Sequence, residues 1–131
     1  VIQLGAYANQ AQAEAAWNAL LAHGAVKPVG LAARDSLRLE MGYPLYGHDI
    51  DDTTSPLAAD LGWVMGKGNM GFIGADKVMD APLDKKRVGI KLTGKGVARE
   101  GAEIRSAQDE KIGVLTSGGH SPTLKASIGM G

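Results

Sequence analysis

The sequence predicts an α+β fold, with helices early and short strands late, on three observations. Ala13, Ala16, Trp17, Leu20 and Leu21 recur at helical spacing within a stretch from about Gln10 to Ala22. Beyond Arg87 the period falls to two, as Val88, Ile90 and Leu92 alternate with Gly89 and Lys91. Glycine occupies 19 of 131 positions, about twice its usual share, which suits many tight turns between short strands. The charged run Asp84-Lys85-Lys86-Arg87 marks the change, so an α+β part is expected over 1–84 and a β part over 85–131.

Taken in order, Val1 to Tyr7 is a strand-like run, and Asn9 is a candidate N-cap for the first helix, which His23-Gly24 would close. Trp17 is expected to anchor that helix on a sheet, because aromatic area dominates cores. A second helix starts near Gly30, carries Arg34, repeats Leu37 and Met41 at a four-residue spacing, and ends at Gly42. Tyr43 and Tyr46 then flank a proline and lead into an acidic loop, His48 to Asp52. A further short element falls between Ser55 and Gly66, a turn at Gly66 to Asn69, and a short helix between Phe72 and Pro82. In the β part, strands are expected at 88–92, 102–104, 112–116 and from Thr123 onward, with Ser117 to Pro122 as a break. Short strands at roughly ten-residue spacing suggest a small antiparallel barrel or sandwich.

Composition excludes several function classes. Fourteen basic and fourteen acidic residues balance, and no basic run interleaves with aromatics, so neither nucleic acid nor an anionic membrane is an expected partner. Cysteine is absent, which removes disulfides, thiolate metal sites and thiol nucleophiles. No apolar run approaches the roughly 20 residues of a spanning helix. Val1 follows no initiating methionine, and both ends read as cut from something longer.

Four groups invite a chemical reading. Gly66-Lys67-Gly68 suggests a phosphate loop but fails its spacing, since three residues rather than four separate Gly62 from Gly66, and Lys67 precedes glycine rather than serine or threonine. The His48–Asp52 loop offers one imidazole and three carboxylates but matches no defined metal site, and its carboxylates beside Thr53 and Thr54 read as loop and capping groups. His120 with Ser117 or Ser121 and Asp49 could form a triad, yet no strand–turn–helix context supports a serine nucleophile. Arg34 lies early in a helix near a tyrosine-rich turn, where a guanidinium can fork onto a carboxylate or stack on a flat ring. Its structural alternative is an ion pair with Asp35, Glu40 or Asp49.

The stretch G-L-A-A-R-D-S-L-R-L-E-M-G-Y-P-L-Y-G-H-D-I-D-D-T-T-S-P, residues 30–56, closely resembles the signature of the glycine-cleavage T-protein (aminomethyltransferase) family. The resemblance continues in order through L-G-W-V-M-G-K, F-I-G-A, R-V-G-I-K-L, G-A-E-I, K-I-G-V-L-T-S-G, S-P-T-L and I-G-M-G. It implies a partial ferredoxin-like α+β segment followed by a small antiparallel β-barrel, incomplete at its C-terminus. It also implies transfer of an aminomethyl group from the lipoyl arm of a carrier protein to tetrahydrofolate, with release of ammonia. In the family the arginine of A-R-D helps bind folate, and an aromatic position nine residues on lines the same pocket; here these are Arg34 and Tyr43. Tyr46 and the His48–Asp52 loop then serve as structural wall.

The resemblance equally implies what this sequence lacks. The family's catalytic aspartate and much of its pterin pocket belong to a preceding portion, so no catalytic residue is assigned; this polypeptide is expected not to catalyse the transfer alone, and to bind tetrahydrofolate weakly or not at all. Unpaired sheet edges would be covered by association, and the location would be cytoplasmic, or the mitochondrial matrix in a eukaryote. Residues 1–25, with V-I-Q-L-G-A-Y before an alanine-rich helix, also resemble the start of SPOR domains, which bind peptidoglycan. That alternative makes the chain a chimeric or structural, non-catalytic module.

Overall fold

The computed structural model describes residues 8–66, 68 and 70–131; the expected strand at 1–7, and Lys67 and Asn69 of the expected turn, lie outside the described residues. The chain forms two compact units, one through Asp35 and one from Ser36 to Gly131.

In the first unit, α1 spans Gln10–Leu21. Asn9 caps it as expected: its backbone is extended, and its side chain accepts the Gln12 amide at 3.0 Å while Gln12 Oε1 accepts from the Ala8 amide. Its packing departs from expectation. α1 has no buried residue, and Trp17 is 44% exposed rather than buried as a core anchor. Helical spacing of apolar residues shows that a face could be buried, and not that it is. The unit also holds the first half of α2 (Leu31–Glu40).

In the second unit, α2 ends where Gly42 was expected to end it. Gly42 takes a left-handed φ of 68°, its amide reaches Leu39 O, and the Tyr43 amide reaches back to Arg38 O at 2.8 Å. This paired bonding satisfies the last carbonyls and turns the chain sharply into Tyr43. Leu39 is the residue α2 buries, whereas Leu37 and Met41, the pair at four-residue spacing, are 51% and 64% exposed. A 3₁₀ turn at Gly62–Met65 and α3 (Ala75–Met79) follow. Among the described residues from 8 to 84, strand-type pairing is limited to an isolated parallel bridge between Tyr46 and Ile50.

Five strands then form two antiparallel sheets: β1 (Gly89–Lys91), β2 (Glu103–Arg105), β3 (Lys111–Val114), β4 (Ser117–Ser121) and β5 (Ala126–Met130). β5 lies between β1 and β4, pairing Met130 with both Gly89 and Ser117, while β2 and β3 pair separately across an irregularity at Ile104/Arg105. The antiparallel character is as expected, but among the described residues the strands do not close into a barrel. The segment expected to be a break, Ser117 to Pro122, is mostly β4. Glycine and serine are poor strand formers, yet the close packing of β4 and its neighbour β5 requires glycine. An added Cβ on Gly118 would sit 2.5 Å from Ala98 O, and one on Gly129 would sit 2.8 Å from Leu115 Cδ2. Leu39, Ile128 and Met130 form the core beneath this sheet.

Candidate functional site

A cleft of about 850 Å³ opens in the second unit, at the end of α2. Its lining includes Met41 and Tyr43 from the α2 end, Trp63 from the 3₁₀ turn, Lys86 and Arg87 ahead of β1, and Met130 from β5. The left-handed turn at Gly42 places Tyr43 there, and the short 3₁₀ turn places Trp63. Both rings are well exposed, at 52% and 71%, so aromatic surface is available to a ligand.

Arg87 is the most firmly held of the lining side chains. Its amide bonds Ala58 O at 2.7 Å, Nε donates to Ala59 O at 2.9 Å, and Nη1 donates to Gly42 O at 3.0 Å and lies 2.8 Å from Met130 Sδ. The adjacent Lys86 pairs with Asp60 at 2.9 Å, on a carboxyl whose pKa Lys86 lowers by hydrogen bond and charge. Asp60 itself takes a left-handed φ of 58°.

Beside the cleft, a polar network ties α2 to the sheet. Arg38 Nη1 donates to Asp49 Oδ2 at 2.8 Å, and both terminal nitrogens reach Ser117 Oγ. Asp49 Oδ2 also accepts the Leu45 amide, and Thr116 Oγ1 donates to Oδ1 at 2.6 Å. The Asp49 side chain is fully enclosed and that of Arg38 is 15% exposed. Burial pushes the Asp49 carboxyl up, but the Thr116 and Ser117 hydroxyls, the Leu45 amide and the Arg38 charge outweigh it, holding the pKa below the ordinary carboxylate value. Glu40 makes a second tie, accepting from Ser121 Oγ at 2.6 Å and from both the amide and the hydroxyl of Thr123. The Ser121 bond leads in lowering its pKa.

The structure sorts the expected site residues. Tyr43 lines the cleft. Arg34 lies on α2 in the first unit and is exposed. Two of the carboxylates named as its ion-pair partners are engaged elsewhere, Asp49 by Arg38 and Glu40 by Ser121 and Thr123. In the His48–Asp52 loop, Asp51 caps the turn by accepting from Thr53 and Thr54, and His48 meets Glu100 at the surface. Its three carboxylates do not converge, and no group of three ligating side chains occurs among the described residues. The triad does not assemble: Ser117 stays beside Asp49 and accepts from Arg38, whereas Ser121 bonds Glu40 and His120 lines a different cleft, with Lys91 and Leu124. Arg87, Trp63 and Lys86 carried no site signal in the sequence. Arg87 reads there as one more charge in a hinge, and only the fold sets it against two carbonyls and a cleft.

Two family models match the chain. The GCVT N-terminal domain matches residues 6–69, taking in most of the segment that resembles a SPOR start, and the Glycine cleavage T-protein C-terminal barrel domain matches residues 85–131. An aminomethyltransferase of Bacteroides fragilis is 46% identical over 122 residues, covering 88% of this chain and 34% of that protein. One from Halothermothrix orenii is 47% identical over 131 residues, covering 95% and 36%. The crystal structure of the glycine cleavage system aminomethyltransferase T from Bartonella henselae superposes with a TM-score of 0.81 at 37% identity, over 92% of this chain and 35% of that one. The chain thus spans about a third of the length of these relatives.

Proposed function

We propose a function from the premise that this chain belongs to the glycine cleavage T-protein family. The function is a share in aminomethyl transfer from a lipoylated carrier protein to tetrahydrofolate, with release of ammonia. Tyr43 holds folate in part, and Arg34 enters the proposal through the family signature, not through the cleft, whose lining does not include it. The observation that carries this reading is the cleft, where Tyr43 and Trp63 expose two rings beside a fixed guanidinium.

The residues present fit such a ligand. A reduced pterin and its aminobenzoyl ring are flat and apolar on their faces, which suits Tyr43 and Trp63, while the glutamyl tail is anionic and suits arginine. The cleft volume falls in the range of pockets that enclose small-molecule ligands. When bound, tetrahydrofolate supplies the nitrogens that take up the one-carbon unit. The described residues bind and orient it, and none of them is assigned to the chemical step. Tyr43 stacks and excludes water on one side, and Arg34 contributes a charge-assisted contact to tail or ring.

Three further statements belong to the same proposal. The fold is a partial ferredoxin-like segment over 1–84 and part of a barrel over 85–131; the two family models support the division and the barrel, and the ferredoxin-like part rests on the resemblance in sequence. The carrier partner is supported by the likeness to the Bartonella henselae protein, a glycine cleavage system aminomethyltransferase. A cytoplasmic location is supported by bacterial relatives, and no helix among the described residues is long and apolar enough to cross a membrane.

Titration with 5-formyltetrahydrofolate, followed by tryptophan fluorescence, tests the site. Weak but saturable binding is expected, weakened about tenfold further by Tyr43→Ala and by Arg34→Ala, the usual scale for losing a stacking or charged contact. Equal affinity for all three proteins would remove these residues from the site, and no binding at all would overturn the reading.

A further inference from the structure

Arg87 is an anomaly among the arginines. Arg34, Arg99 and Arg105 are exposed to water, which screens their charge. Arg38 and Arg87 are the two that are part-buried. Arg38 is neutralised by Asp49 at 2.8 Å. Arg87 bonds only neutral groups among the described residues: the carbonyls of Ala59 and Gly42 and the sulfur of Met130. Its Nη2 carries no hydrogen bond among them.

The neighbouring charges leave that guanidinium unbalanced. Asp60 feels Arg87 through space, but its carboxylate is bonded to Lys86 at 2.9 Å. Lys86 and Asp60 cancel, so the Arg87 charge is left over among the lining groups. A partly desolvated cation without a counter-ion is costly unless something anionic completes it. It is also preorganised: the amide, Nε and Nη1 are all fixed, so little rotamer freedom remains to be lost when a ligand arrives.

We propose that Arg87 is a specificity-determining residue that receives a carboxylate of the bound ligand through Nη2, the guanidinium nitrogen that the protein leaves unbonded. The proposal rests on the folate reading above and deepens it, since the carboxylate is then one from the glutamyl tail. With Tyr43 and Trp63 presenting rings in the same cleft, the site selects for a molecule that joins an aromatic body to an anionic end. Arg87 makes no covalent contribution; it sets which ligands bind and in which direction the tail runs.

The test compares 5-formyltetrahydrofolate with 5-formyltetrahydropteroate, which keeps both rings and lacks the glutamate. Trp63 fluorescence in the cleft reports binding, with Trp17→Phe removing the other tryptophan. The wild-type chain is expected to bind the glutamylated ligand about ten- to a hundredfold more tightly, the range of a charged hydrogen bond. Arg87→Met abolishes that preference, Arg87→Lys keeps part of it, and Arg99→Ala leaves it unchanged. Because Arg87 also joins Gly42 to Ala59, a second measurement uses the wild-type protein alone. The Arg87 Nε–Hε resonance is expected to shift on adding p-aminobenzoylglutamate and to stay in place with p-aminobenzamide. Equal wild-type affinity for the two ligands, or a preference that survives Arg87→Met, overturns the role of Arg87 while leaving the folate reading intact. Failure to bind either ligand removes both.

Discussion

Asp49 shows how a residue can look like chemistry and be architecture. In the sequence it sits between a histidine and two further aspartates, the composition of a metal loop or a catalytic acid. In the fold its enclosed carboxylate receives Arg38, Thr116 and the Leu45 amide, three groups from separate parts of the second unit. Asp49→Ala should therefore cost about 3 kcal/mol, because it strands a part-buried arginine. The pH dependence follows from the direction of its pKa. The folded value is held below the unfolded one, so the folded state binds the proton less readily. The stability gained is complete above the unfolded value of about 4, and is lost as pH falls through it toward the folded value. Urea midpoints measured between pH 7 and pH 3 should fall for the wild type and fall less steeply for Asp49→Asn. Parallel curves would mean that Asp49 does not carry the acid sensitivity. Glu40, Asp51, Asp60 and Glu103, whose pKa values are also lowered, supply the remaining slope.

At the scale of elements, local chemistry explains what was legible and tertiary contact explains what was not. The start of α1 and the end of α2 follow from Asn9 and Gly42, because caps are decided by the residue itself and its immediate neighbours. β1 follows from Val88, Ile90 and Leu92, though only its centre, Gly89–Lys91, is a strand. β4 does not follow at all. S-G-G-H-S has the composition of a turn, and it is a strand because Gly118 alone fits against the Ala98 backbone while Ser117 and Ser121 bond Arg38 and Glu40. The partners that make it a strand lie up to 81 residues away in sequence, beyond the reach of any local pattern. Tyr43 was legible through the family signature; Arg87 was not, for the same reason as β4. Gly118→Ala tests this account. The added Cβ meets backbone rather than a movable side chain, so a loss of about 1–3 kcal/mol is expected, read as a lowered urea midpoint. An unchanged midpoint would mean that β4 can stand away from Ala98 without cost.

For the whole molecule, the two units differ in what holds their helices and strands. α1 has 12 residues and buries none of them, and a helix of that length is marginal in water on its own hydrogen bonds. β5 is paired on both edges, by β1 and β4, and contributes Ile128 and Met130 to the core. Amide exchange should therefore be slowest in β5 and faster in α1 by about a hundredfold or more, the spread expected between globally and locally protected groups. Ligand binding gives the same measurement a functional reading. The cleft draws on the α2 end, the 3₁₀ turn and the chain ahead of β1, and Arg87 joins the first and last of these to the stretch just before the turn through its bonds to Gly42 and Ala59. Adding 5-formyltetrahydrofolate should raise protection at 41–43, 58–65 and 86–89 together, because a ligand that fixes Arg87 stabilises Gly42, Ala58 and Ala59, which it bonds, and the turn that Ala59 leads into. The β2–β3 hairpin contributes nothing to the lining and should exchange as before. Protection appearing in the hairpin and not in those three segments would place the ligand elsewhere on the second unit. Protection confined to 41–43 would show Tyr43 acting without Arg87.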